Sequence, residues 1–226
     1  MAASKSENTS ATHVVDILGN VIGRDQPLLL IERALDLISS IEDDSFRDDS
    51  TVFIDPFCKA GELLLACAIQ SCKLKWKDSD LLKRRPGQVL HHVEQEIYLS
   101  GRYYGIAPDE RHHRLSLRTF LGNNNSHKKQ FSHVIQNGDY LSETDGNLRR
   151  EKFEKAVDNM LEFINTKSSI SKVIAVGNPP YQEADGGFGK SAKSIYDYFT
   201  TKLIENKKID EFVVVIQLDG LAAGKG

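Results

Sequence analysis

The sequence predicts an α/β protein with a mainly parallel sheet and helices on both faces. Two patterns carry this expectation. Short Val- and Ile-rich runs alternate with longer segments whose apolar residues recur at helical spacing, and the short runs end in turn-forming Asp, Asn, Gly and Pro. Parallel strands need crossover connections, which helices supply and which are almost always right-handed, so the alternation reads as a sheet covered on both sides. With 226 residues the chain can build one such domain, and no shift in composition marks a second.

Residues 1–12 are polar and small, without an apolar signal-like stretch, and residues 1–20 are read as a flexible tail ahead of a single domain over 21–226. Pro27 opens a helix whose broad apolar face is Leu28, Leu29, Ile31, Leu35, Leu37, Ile38 and Ile41, and the acidic stretch 42–49 ends it. A β-prone run at 51–54 leads through Asp55-Pro56-Phe57-Cys58-Lys59-Ala60-Gly61 into a helix over 62–74. A basic stretch at 73–85 and Pro86-Gly87 precede a helix around 89–99. Strand two is placed at 103–107, a helix at 111–121, and strand three at 133–136, with Asn137-Gly138-Asp139 as its turn. Phe153, Val157, Met160, Leu161 and Ile164 mark a helix over 148–164. Strand four covers 172–176, the next helix 192–204, and strand five 212–216.

Charge and cysteine usage narrow the function classes. With 29 Lys+Arg against 32 Asp+Glu the formal net charge is -3, so the chain is not a basic body held to nucleic acid by charge alone. The basic stretch around Trp76 and Arg111-His112-His113-Arg114 are read as solvated faces in preference to phosphate contacts. Cys58, Cys67 and Cys72 match no zinc template, which reads as reduced thiols in a cytoplasmic protein with no metal site. No run approaches the roughly 20 apolar residues of a membrane span, so no membrane partner is expected.

Three loops, each following a strand, hold the residues suited to chemistry. In the first, the short side chain of Asp55 and the flexibility of Gly61 let backbone approach a ligand at a helix start, where amide donors are unpaired. The same residues also serve tight turns for conformational reasons alone. In the second, Asp139 sets a carboxylate beside the ring of Tyr140, a pair that suits an adenine: the exocyclic amine donates to the acid and the base packs on the ring.

The third, Asn178-Pro179-Pro180-Tyr181, is the most restrictive. An adenine or amide nitrogen is a poor nucleophile while its lone pair is delocalised. Acceptors on its hydrogens, here the Asn178 side-chain oxygen and the Pro179 carbonyl, favour the pyramidal geometry of the transition state. Pro179 and Pro180 stiffen the loop and drive Asn178 out of the helical region, and Tyr181 offers a flat face.

The stretch 55–62 resembles the first motif, and Asn178-Pro179-Pro180-Tyr181 the fourth, of S-adenosylmethionine-dependent DNA adenine N6-methyltransferases, closest to the methylases of restriction-modification systems. The following run, 182–189 and 191–196, is similar to that family too, as is the ending Ala223-Gly224-Lys225-Gly226. The resemblance implies a Rossmann-like class I methyltransferase fold in which Asp55, Pro56, Phe57, Cys58 and Gly61 cradle the methionine part of S-adenosylmethionine. Asp139 and Tyr140 would hold its adenine, and 178–181 would grip the target adenine. Pro27 falls where the family carries a Thr-Pro pair over the cofactor, here Gln26-Pro27. The acid that binds ribose hydroxyls at the end of strand two aligns with Ala107, leaving Asp109 or Glu110 as the nearby substitute, and Lys59 replaces a common glycine.

The order of motifs is that of methylases whose recognition part lies toward the carboxyl end. The sequence stops at Gly226, after strand five, where the family's last two strands and its recognition part would begin. The reading therefore expects a catalytic fragment, or a partner chain that supplies the rest, with DNA as substrate and a restriction endonuclease as a further partner. The same four-residue motif serves RNA-adenine and protein-glutamine methyltransferases, and a truncated relic that binds cofactor or a partner without turnover is the non-enzyme alternative.

Overall fold

The computed structural model describes residues 29–41, 44–75, 92–93, 96–97, 100–121, 135–140, 145–167, 169–177, 189–206 and 211–216. They form α1 (Leu29–Ile41), β1 (Thr51–Asp55), α2 (Glu62–Lys75), β2 (Tyr103–Ala107), α3 (Glu110–Leu121), β3 (Ile135–Asn137), α4 (Gly146–Asn165), β4 (Lys172–Gly177), α5 (Gly189–Glu205) and β5 (Glu211–Ile216). These strands pair in parallel in one sheet of order β3-β2-β1-β4-β5.

From β1 the chain steps outward to β2 and β3, then returns to the other side of β1 for β4 and β5. Right-handed crossovers that run in opposite directions leave their helices on opposite faces. The packing agrees: Phe53, Tyr103, Ile135, Ile174 and Val176 share a core with α1 and α2, whereas Val52, Ile54, Tyr104, Ile106, Val173 and Ala175 share one with α4 and α5. Because successive strand residues point to opposite faces and both faces are covered, β1 and β2 are buried at every position. The second helix is buried without a break from Leu64 to Cys72, since it lies between the sheet and α1.

Several boundaries differ from the sequence expectation for local reasons. Strand β3 is described over Ile135–Asn137, one residue past the expected end at 136, because its pairing with β2 runs from Gly105↔Ile135 to Ala107↔Asn137; residues 133 and 134 lie outside the described residues. Helix α4 starts two residues before Leu148, where the Asp145 side chain caps it by accepting from the Asn147 and Leu148 amides. The expected helix around 89–99 is described only at 92–93 and 96–97, which are helical, as is Ser100. Residues 1–28, Trp76 with the rest of the basic stretch from 76 to 85, and residues 178–188 and 217–226 lie outside the described residues, so Pro27 and Asn178, Pro179, Pro180 and Tyr181 do as well.

At the amino edge of the sheet a buried ion network closes the fold. Arg102, 1% exposed, donates to the carbonyls of Ser45 (2.7 Å), Phe46 (3.3 Å) and Thr51 (2.7 Å) and to Glu96 Oε1 (3.2 Å), which also accepts from Lys75 at 3.1 Å. Its guanidinium lies 5.4 Å from the Phe53 ring centre, so the buried charge is both hydrogen-bonded and stacked. Among the described residues no helix is long and apolar enough to cross a membrane.

Candidate functional site

The strand order reverses between β1 and β4, and in an open α/β sheet the crevice outside the carboxyl ends at that point is where ligands bind. The loop after β1 fills one side of it. Asp55 ends the strand 3% exposed, and its Oδ1 accepts from the Phe57 amide at 2.9 Å, which closes a tight turn. Burial pushes the Asp55 carboxyl up to about 7, against the opposing pull of the Phe57 amide and the Lys59 charge.

Beyond Asp55 the loop straddles the sheet. Phe57 enters the core on the α4 and α5 side, whereas Cys58 enters the core on the α1 and α2 side. The Cys58 amide donates to the Ile106 carbonyl of β2 at 3.0 Å. This crossing needs a neighbour without a side chain: a Cβ on Gly105 would stand 2.8 Å from Cys58 Cβ and 2.9 Å from its Sγ. Gly61, at φ 82, then turns the chain into α2 in a conformation that side chains rarely adopt. Burial pushes the Cys58 thiol well up, so it packs as a small apolar group and is not a nucleophile.

The ends of β2 and β3 form the second part. Ala107 is buried, and its carbonyl accepts from the Gly138 amide at 2.8 Å. Asp109, expected as a substitute ribose acceptor, is turned to its own helix: its oxygens accept from the His112 amide (2.8 Å) and face His112 Nδ1 (2.8 and 2.9 Å). Burial works to raise this carboxyl, but the His112 hydrogen bonds outweigh it and hold Asp109 below the usual carboxylate range. A helix start with this cap is satisfied internally.

Asp139 has a 44% exposed side chain whose Oδ2 accepts from Lys152 Nζ at 2.9 Å, and its amide donates to Asn137 Oδ1 at 3.1 Å. Tyr140 departs from expectation. Its side chain is 1% exposed and meets the Phe153 ring edge-on at 5.3 Å, so the ring is committed to the core and is not an open face for a base. Phe57 stacks on the same Phe153 at 5.6 Å. A single residue of α4 thus anchors both the β1 loop and the β3 loop. Its helical spacing marked Phe153 only as core, and nothing in the sequence near Lys152 pointed to Asp139.

Gly177 ends β4 beside the first loop, where a Cβ would lie 3.2 Å from the Phe57 ring and 3.5 Å from Asp55 Oδ1. Asn178 is the next residue. Among the described residues there is no group of three or more His, Cys, Asp or Glu able to hold a metal ion. A groove of about 560 Å³ between α4 and α5, lined by Asp158, Leu161, Glu162, Lys202 and Glu205 among others, shares no residue with these loops.

A doubly wound parallel sheet whose order reverses at β1 and β4 is that of a Rossmann-like α/β methyltransferase. Residues 102–222, slightly more than half of the chain, match the family model described as Eco57I restriction-modification methylase, and the chain belongs to that family. No curated protein and no solved structure matches it.

Proposed function

We propose that this methylase transfers a methyl group from S-adenosylmethionine to the amino nitrogen N6 of an adenine in DNA, within a restriction-modification system. The observation that carries this reading is the place of Asn178-Pro179-Pro180-Tyr181: the motif follows Gly177, which ends β4 against Asp55 and Phe57 at the strand-order switch, and it falls inside the matched span. The loop 55–61 and the start of α2 suit the methionine part of the cofactor, with helix amides toward its carboxylate. The exposed Asp139 carboxylate suits its adenine, and Tyr140 acts from the core by fixing the loop through Phe153. The ribose hydroxyls fall to Glu110, which is 59% exposed although its oxygens also meet Asn137 Nδ2 at 3.0 Å and Arg114 Nε at 3.4 Å, in preference to Asp109, which caps α3. Pro27 closes over the cofactor.

The cofactor supplies an electrophilic methyl group. The chain's part is to take the target base out of the duplex, hold its ring against Tyr181, and accept its amino hydrogens on the Asn178 side-chain oxygen and the Pro179 carbonyl. Those acceptors localise the lone pair toward the methyl group, and Pro180 keeps the loop stiff. DNA is favoured over RNA or a protein amide by the run after Tyr181. Side-by-side assays of labelled methyl transfer to duplex DNA, RNA and protein test the choice. Label entering DNA alone is expected, and label entering RNA or protein alone would replace this reading by the corresponding one.

A further inference from the structure

We propose that Asn137 and Lys152 are positioning residues that aim the Asp139 carboxylate at the amino group of the cofactor's adenine, a role that rests on the functional reading above. Asp139 sits at φ 45, the one residue other than glycine with positive φ among those described. Aspartate is among the few residues besides glycine that visit this left-handed region, and local hydrogen bonds hold it there. Three bonds do so in series. The Asp139 amide donates to Asn137 Oδ1 at 3.1 Å, Asn137 Nδ2 donates to Glu110 Oε2 at 3.0 Å, and Lys152 Nζ donates to Asp139 Oδ2 at 2.9 Å.

These bonds run from α3, across the β3 turn, to α4, so both helices hold one acid. The Asn137 amide has its oxygen against a donor and its nitrogen against an acceptor, which fixes its orientation. The Asp139 and Lys152 side chains are 44% and 34% exposed. An ion pair so open to solvent adds little to stability. Its consequence is direction: a carboxylate pinned through Oδ2 from a backbone pinned in the left-handed region points one way. A carboxylate accepts about four hydrogen bonds, so an ion pair through Oδ2 is compatible with a ligand on the same group. As an ionised acid it can only accept, so it selects a base with a 6-amino donor over one with a 6-oxo acceptor.

That selectivity separates aiming from scaffolding. Calorimetry on the whole chain with S-adenosylhomocysteine and its inosine analogue, S-inosylhomocysteine, measures it directly. The wild type is expected to prefer the adenosine form, and Asn137→Ala and Lys152→Met are each expected to reduce that preference about five- to tenfold, as loss of an oriented charge-assisted hydrogen bond would. The loss should fall on S-adenosylhomocysteine while the thermal midpoint stays close to that of the wild type. Lys152→Arg should keep the preference. An undiminished preference in both loss variants, or an equal loss of affinity for both ligands, would overturn the role. Asp139→Ala with wild-type preference would instead overturn the placement of the adenine pocket. A wild type that binds neither ligand would overturn the functional reading and this role with it.

Discussion

At the end of β1 the Asp55 carboxyl is buried, and burial pushes it from 3.8 up to about 7. Between those values the folded chain holds a proton that the unfolded chain has released. The stability tied to this group is therefore fully present below about pH 4 and is lost as pH rises through about 7. Asp55→Asn keeps an oxygen for the Phe57 amide but removes the titration. Urea denaturation at acidic and at mildly alkaline pH should show the variant more stable than wild type at the alkaline end, by on the order of 2–4 kcal/mol. An unchanged slope in the variant would contradict the assignment. At this scale the sequence was only partly legible. Asp55 and Asp139 stand at or just past strand ends as their positions implied, but Tyr140 faces the core because its partner Phe153 is brought near only by the fold, and Asp109 faces its own helix as a cap on His112, a choice the i, i+3 spacing could have shown.

Among the elements, the β1 loop depends most on its neighbours. It passes between the carboxyl ends of β2 and β4, and both neighbours present glycine where it comes closest, Gly105 and Gly177. Gly105→Ala should cost about 1–3 kcal/mol in urea denaturation, since the new methyl meets the Cys58 side chain and the loop must shift. Gly146→Ala is the matched control. Nothing lies within 4 Å of its Cβ, and it opens α4 behind the Asp145 cap, so its effect should stay within about 0.5 kcal/mol. Equal costs at the two sites would contradict the crossing described for the loop. Alternating apolar runs located every described strand, whereas the start of α4 and the register of β3 escaped the sequence because a cap and a strand pairing decide them.

Across the whole molecule the two edges of the sheet divide the work. The amino edge is closed by Arg102, whose bonds to Ser45, Phe46, Thr51 and Glu96 tie the approach to β1 to the approach to β2. Arg102→Met should destabilise the protein by about 3–5 kcal/mol, because it leaves carbonyl groups and part of the Glu96 charge buried without their donor. A loss under about 1 kcal/mol would contradict the structural role given to this network. The carboxyl edge carries the loops of the proposed methylase site, and the strand order, which the alternation of elements left open, is what brings 55–61 beside the end of β4. Membership of the restriction-modification methylase family agrees with that arrangement. The proposed function turns on which atom is methylated. Duplex DNA incubated with the chain and labelled S-adenosylmethionine, then digested to nucleosides, should carry the label as N6-methyladenine, and Asn178→Ala should lower the yield by at least about a hundredfold. Label on cytosine, or undiminished N6-methyladenine from the Asn178→Ala chain, would contradict it.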